Sequence, residues 1–456
     1  MRVVLISTYE LGRQPFGLAS PAAWLREAGH EVACLDLSLQ RLDESTIRDA
    51  GLAAFHLPMH TATRIAARAA RKVRAINPAI PLCFYGLYAP MNEPYLRALG
   101  AETILGGEFE EGLVSLAGRL AYGGPRRVNA PQPEPVVSTS RQSFLTPDRS
   151  GLPPLHRYAR LAVPGEASRV VGYTEASRGC KHLCRHCPIV PVYQGRFRVV
   201  GADAVLADIG EQVSSGARHV TFGDPDFFNA IGHATQIIRR LHREHTSLTY
   251  DVTIKIEHLL AHRKQLPALS ETGCLFVTTA VESVDDEILR LLDKGHTRRD
   301  FIEAVGLCAD AGVTLHPTFV PFTPWTSIEG YLDLLRCVEE LDLVEQVAPI
   351  QLAIRLLIPA GSKLLELPQV RDLVAPFDQE GLIHPWHHPD PRVDALHAQV
   401  HALVQTDAQA NGGRSSAFAR VVRLAEAAAG RVGRAGRNTP RPDRASLPYL
   451  TEPWYC

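Results

Sequence analysis

The chain has 456 residues, 45% hydrophobic and 21% charged, and its 48 basic against 49 acidic side chains leave a formal net charge of −1. Such a composition describes a modular globular protein long enough for several cores, and it excludes a global electrostatic pull toward nucleic acid or anionic membrane. Nine cysteines, six of them standing singly (Cys34, Cys83, Cys274, Cys308, Cys337 and Cys456), are too few for a disulfide framework, so a reducing compartment is expected. The apolar start from Val3 to Ile6 turns polar at Ser7, too short for a signal-peptide core, and no window approaches about 18 uninterrupted apolar residues. A cytoplasmic protein without a membrane segment is the expectation.

Residues 1–122 alternate strand and helix signals. Apolar runs at 3–7, 31–37, 52–57, 81–85 and 103–105 predict strands, and 20–29, 61–76 and 93–99 predict helices. Short apolar strands separated by helices imply a doubly wound parallel sheet. Residues 123–165 are rich in proline, serine and arginine and predict a linker. From 166 to 384 the alternation resumes, with strands expected at 170–173, 220–222, 248–255, 275–281, 314–320 and 350–358. Six such units describe a partial (β/α)6 TIM-type barrel, with its chemistry at the carboxyl ends of the strands. Ser283 to Asp286 and Thr326 to Glu329 have the form of capping boxes. Residues 385–430 predict a helical segment, and 431–456 an Arg/Pro-rich tail read as a solvated linker.

The most specific feature falls just past the first barrel strand. Cys180, Cys184 and Cys187 stand in a CxxxCxxC spacing, preceded by Ser177-Arg178-Gly179 and followed by Pro188. A structural zinc site closes a tetrahedron with four protein ligands, whereas a four-iron cluster held by three cysteines leaves one iron open to another ligand. The competing reading is a zinc knob with His182 or His186 as fourth ligand. Zinc ligands normally come as two pairs separated by a longer loop, a pattern this segment lacks.

This spacing, place and flanking sequence resemble the radical S-adenosylmethionine (radical SAM) superfamily. The resemblance implies a 4Fe-4S cluster on Cys180, Cys184 and Cys187, with S-adenosylmethionine (SAM) chelating the open iron. An electron from the reduced cluster then breaks a carbon-sulfur bond to give a 5'-deoxyadenosyl radical. It also implies SAM contacts at the strand ends. Asp224 and Asp226 in Gly223-Asp224-Pro225-Asp226 are candidates, and so are Glu282 and Ser283, followed by Lys294-Gly295-His296-Thr297. Gly-Asp-Pro-Asp is also ordinary turn chemistry, and Ser283 has the makings of an N-cap.

The front segment resembles the cobalamin-binding domain that precedes the barrel in one subgroup, through Pro21 to Val32, Leu35 to Leu37 and Gly106-Gly107-Glu108 to Glu111. Such domains carry Asp-x-His-x-x-Gly after the first strand when histidine ligates cobalt; here Ser7 to Gly17 contains no histidine. Cobalamin bound without a histidine ligand and a domain that has lost the cofactor both remain open, and His56 and His60 read as strand-end and helix-start residues. The last residues, Thr451 to Cys456, resemble the lead-in to a Cys-Cys/Sec-Ala-Glu-Pro tail, which would make the chain a selenoprotein cut at a UGA codon. The expected partners are an external one-electron reductant of flavodoxin or ferredoxin type and a small-molecule or peptide substrate; nucleic acid is not expected. A non-catalytic iron-sulfur or electron-transfer protein is the alternative.

Overall fold

The structure, a computed structural model, describes residues 1–123, 132–163, 165–409, 413–431 and 449–451. The front domain is a six-stranded sheet in the order β2-β1-β3-β4-β5-β6. Its strands are β1 (Arg2–Ser7), β2 (Glu31–Asp36), β3 (Leu52–His56), β4 (Leu82–Tyr85), β5 (Thr103–Gly107) and β6 (Val137–Ser138), all paired in parallel. Successive side chains along a strand point to opposite faces. Val4, Ile6, Phe55 and Phe84 accordingly enter one core, and Val3, Leu5, Ala54 and Cys83 the other. Burial on both faces explains the unbroken apolar runs in the sequence.

The second domain is a seven-stranded sheet in the order β14-β13-β12-β11-β8-β7-β15. Four parallel pairings join β8 (Arg169–Thr174), β11 (His219–Phe222), β12 (Thr249–Thr253), β13 (Cys274–Glu282) and β14 (Thr314–Phe319) into a curled half-barrel. Two short antiparallel strands, β7 (Arg160–Ala162) and β15 (Tyr449–Leu450), extend its edge. Between β8 and β11, β9 (Ser177–Gly179) and β10 (Phe197–Val199) form a separate antiparallel pair. Val220, Phe222, Tyr250, Val252 and Ile254 pack outward into the helical layer, which includes Val393, Val400, Phe418 and Val421 of the helices Pro391–Gln409 and Arg414–Ala428. The alternate positions are polar: His219 Nε2 lies 2.8 Å from Asp251 Oδ1, which also accepts from Thr221 Oγ1 at 2.6 Å.

Three expectations are corrected. The sixth barrel strand does not form: Pro349–Leu352 is a 3-10 turn, and the position keeps only a parallel bridge between Phe322 and Arg355. Pro349 and Pro359 bracket this segment, and neither supplies a backbone N–H for a ladder. The helix after β13 is capped by Asp285, whose side chain accepts from the Glu287 and Ile288 amides, rather than by Ser283. Ser327, not Thr326, caps the helix Ile328–Glu340. The segment read as a linker does more than cross the surface. Arg149 donates to Asp208 (2.7 Å), Gln14 (2.8 Å) and the Tyr173 carbonyl (2.7 Å), and Tyr158 Oη donates to Asp36 at 2.8 Å. These bonds stitch the front domain to the barrel. The proposed selenocysteine tail and Cys456 lie outside the described residues.

Candidate functional site

Cys180, Cys184 and Cys187 lie between β9 and β10, beyond the end of β8. Two features set the loop's entry. Asp224, past the end of β11, accepts from the Ala176 amide at 2.9 Å and from Ser177 Oγ at 2.5 Å. Gly179 has φ +75°, and a Cβ there would lie 2.4 Å from the Tyr193 ring and 2.6 Å from the Arg196 carbonyl, so only glycine fits before Cys180.

Among the described residues the three thiols carry no disulfide, and Cys180 and Cys184 are buried. They are mutual neighbours. Burial pushes the Cys180 thiol up, with Cys184 adding to the rise, and pushes Cys187 up to about 12, with Cys184 and Cys180 adding. Buried thiols that each oppose the others' ionisation suit a cationic metal centre, which would reverse that preference. Two ammonium groups flank them: Lys255 Nζ stands 3.7 Å from Cys184 Sγ and 2.5 Å from Glu257, and buried Lys294 feels both Cys184 and Cys187. The donor set therefore fits an iron-sulfur cluster held by three thiolates.

The loop histidines are held by carboxylates. His186 Nε2 lies 3.1 Å from Glu282 Oε1, and His182 lies 3.3 Å from Glu257 and 3.5 Å from Asp226. Cys180, His182 and Asp226 bring three ligand atoms within 4.8 Å of one another. That group includes only one of the three cysteines, and a zinc reading leaves Cys184 and Cys187 unexplained.

The predicted SAM-contact residues gather around the same loop in two groups. Asp224 and Asp226 are 2% and 0% exposed and are committed to protein partners. Asp226 accepts from the Phe228 amide at 3.2 Å and makes a 2.6 Å contact with His258 Nδ1. Burial pushes Asp224 up to about 7 against its hydrogen bonds from Ser177 and Ala176; Asp226, equally buried, is held below its ordinary value by His182 and His258. At the other side, Glu282 ends β13 with φ +67° and pairs with Lys294 Nζ at 3.2 Å and with His186. Burial would raise its carboxyl, but Lys294 and His186 overcome this and hold it well below the usual range. Ser283 Oγ accepts from the Asp285 amide at 3.1 Å.

Sequence reasoning missed Lys255 and His258. Lys255 carried a usable signal, a charge just past the end of a barrel strand, the same rule that singled out Asp224 and Glu282. His258 carried none, because its partner Asp226 lies on another strand end.

Residues 174–335 match the radical SAM superfamily, which covers the cysteine loop and β11 to β14. That segment, about a third of the chain, is therefore similar to the radical SAM domain. The chain resembles the tRNA-2-methylthio-N(6)-dimethylallyladenosine synthase of Syntrophobacter fumaroxidans, 31% identical over 192 residues, which are 38% of this chain and 40% of that protein. An uncharacterized methyltransferase of Pyrococcus horikoshii is 22% identical over 225 residues, 49% of this chain and 47% of that protein. The chain thus matches less than half the length of these curated relatives. Two solved structures share the whole arrangement of front domain and barrel. The cobalamin-dependent SAM radical enzyme OxsB aligns with TM-score 0.70 and 13% identity over 89% of this chain and 67% of its own. The radical SAM methyltransferase TsrM of Kitasatospora setae aligns with TM-score 0.66 and 17% identity over 89% and 90%. At these identities the likeness is one of fold.

Proposed function

We propose that the chain is a radical SAM enzyme that reductively cleaves SAM to start hydrogen abstraction or cobalamin-dependent methyl transfer. The convergence of three unpaired thiols between two buried ammonium groups at the mouth of a radical SAM half-barrel carries this reading. Cys180, Cys184 and Cys187 would hold a 4Fe-4S cluster, which when bound supplies a low-potential electron to SAM on its open iron. Lys255 and Lys294 offset the negative charge that three thiolates bring into a buried loop. Asp224, Asp226 and Glu282 shape the SAM site through the segments they hold: Asp224 through Ser177, Asp226 through His182, and Glu282 through His186. Ser283 stands beside Glu282 at the same strand end.

The front domain is the place for cobalamin or for substrate. Its loop after β1 offers no imidazole, and His56, at the end of β3, has Nδ1 engaged by Glu10 at 2.7 Å and its ring packed against Gly17 and Gly86. A corrin held here would therefore have no histidine from that loop beneath cobalt. The likeness to tRNA-modifying synthases covers 38% of this chain and supports the SAM-cleaving step rather than a choice of substrate. The electron would come from an external reductant of flavodoxin or ferredoxin type. Among the described residues, no helix is long and apolar enough to cross a membrane.

Anaerobic reconstitution with iron and sulfide, followed by dithionite and SAM, tests the reading. About four irons per chain and formation of 5'-deoxyadenosine or S-adenosylhomocysteine are expected, and a corrinoid absorbance retained through gel filtration would select methyl transfer. An iron-loaded chain that forms neither product overturns catalysis and leaves the electron-transfer alternative.

A further inference from the structure

One front-domain carboxylate grips the cysteine loop from both sides. Glu108 follows Gly107 at the end of β5 and is 2% exposed. Gly107 has φ +71°, and a Cβ there would lie 2.1 Å from the Ser138 carbonyl; at Gly106 it would lie 2.2 Å from Pro90 Cγ. The two glycines let the strand end turn against β6, where the Glu108 amide donates to the Ser138 carbonyl at 2.8 Å, and send the Glu108 side chain into the domain junction.

There Glu108 Oε2 accepts from Arg178 Nη1 at 3.3 Å, and Oε1 accepts from Tyr193 Oη at 3.2 Å. Arg178 stands two residues before Cys180, and Tyr193 six residues after Cys187. The front domain supplies most of the remaining surroundings of Arg178: Glu110 at 2.7 Å, Ser20 at 3.2 Å, and the rings of Phe16 and Phe109 at 5.6 and 5.3 Å. Glu110 is itself fixed by Ser20 at 2.6 Å and Gln142 at 2.9 Å. A carboxylate buried this deeply is costly unless its hydrogen bonds are made, and both of these partners belong to the cysteine loop's flanks.

We propose that Glu108 is a positioning residue through which the front domain fixes the geometry of the cysteine loop. It touches no cysteine; it acts through Arg178 and Tyr193. The two bonds pin the loop at entry and exit, so the spacing of the three thiols depends on the front domain being docked. The consequence for SAM rests on the cluster reading above, whereas the effect on the loop does not.

The test uses the full chain with Glu108→Gln, Tyr193→Phe and the double variant. Glu108→Gln keeps the shape and removes the charge, and Tyr193→Phe removes one bond without touching the front domain. In the iron-free chain, hydrogen exchange over residues 176–193 is expected to rise about tenfold in Glu108→Gln, with the exchange of β1 to β4 unchanged. The double variant should exceed either single change, because Glu108→Gln weakens the pair with Arg178 while its amide oxygen can still accept from Tyr193, and Tyr193→Phe removes that second bond. After reconstitution, iron content should match wild type while SAM binding weakens about tenfold and the SAM-induced change in the reduced cluster's EPR spectrum is altered. Unchanged exchange over 176–193 in Glu108→Gln and in the double variant overturns the proposal. So does a rise spread equally through β1 to β4, which would mark a general loss of stability. A wild-type chain that takes up no iron while exchange responds as expected leaves the positioning role standing and removes the cluster reading.

Discussion

Both domains end their parallel strands in polar residues, but they use them in opposite ways. In the half-barrel, Asp224, Lys255 and Glu282 reach across to the cysteine loop, directly or through its histidines. In the front sheet, Asp36 and His56 are closed off by Ser38, Tyr158 and Glu10, and Glu108 turns outward to the neighbouring domain. One strand-end row serves the cysteine loop; the other locks its own domain and clasps that loop from outside. Open strand ends alone therefore do not mark the chemistry, and what they hold decides it.

The largest effect that would break this contrast is at the cysteines. Cys184→Ala should abolish cluster assembly, read as loss of bound iron and of the visible charge-transfer absorbance. A variant with full iron content would remove the ligand assignment and with it the difference between the two rows.

Next comes the charge balance around the loop. Lys294 and Glu282 are both buried, so Lys294→Met leaves the buried carboxylate with His186 as its remaining partner and should cost about 3 kcal/mol in denaturant unfolding of the iron-free chain. Lys255→Met should cost less, because its partner Glu257 is a third exposed and can be hydrated. Equal losses would show that solvent reaches both pairs alike.

The front row is sharpened by packing rather than charge. A Cβ at Gly17 would lie 2.0 Å from His56 Cε1, and the ring is boxed by Tyr85, Phe109 and its bond to Glu10. Gly17→Ala should destabilise the chain by about 1–3 kcal/mol in the same measurement. His56→Ala combined with Gly17→Ala should recover part of that loss, because the clash disappears.

Much of the fold was legible in local pattern. The first five front strands were visible because burial makes an apolar run, whereas β6 lies in the segment read as a linker; Cys180, Cys184 and Cys187 marked the cysteine loop through their spacing and their place after a strand. The sixth barrel strand misled because Ile350 and Leu352 pack against the core from a 3-10 turn as well as they would from a strand. The clasp by Glu108 was not legible: Arg178 and Glu108 lie 70 residues apart, and no periodicity reports such a pairing. Asp224 and Asp226 were found by position, yet their partners, backbone amide and serine for one and histidines for the other, follow from tertiary packing alone.

The last predicted effect, confined to acid pH, separates the barrel's inner layer from its mouth. His316, on β14, stacks on Phe276 at 4.4 Å and 14°, and its Nε2 is buried without a hydrogen-bond partner among the described residues. Burial, with Arg414 adding to it, lowers this imidazole from 6.5 to about 4. The unfolded chain takes up a proton as pH falls below 6.5 while the folded chain refuses it until about 4, so this group makes stability fall between those values. His316→Phe keeps the stacked ring and removes the titration. The iron-free variant should therefore lose less stability than wild type between pH 6.5 and 4, read by urea unfolding at each pH. Glu282, whose folded value is depressed, acts in the same direction at lower pH, since its stabilisation is lost only as pH falls below the ordinary carboxylate range. Parallel pH profiles for wild type and His316→Phe would mean that the inner layer is hydrated and belongs with the mouth.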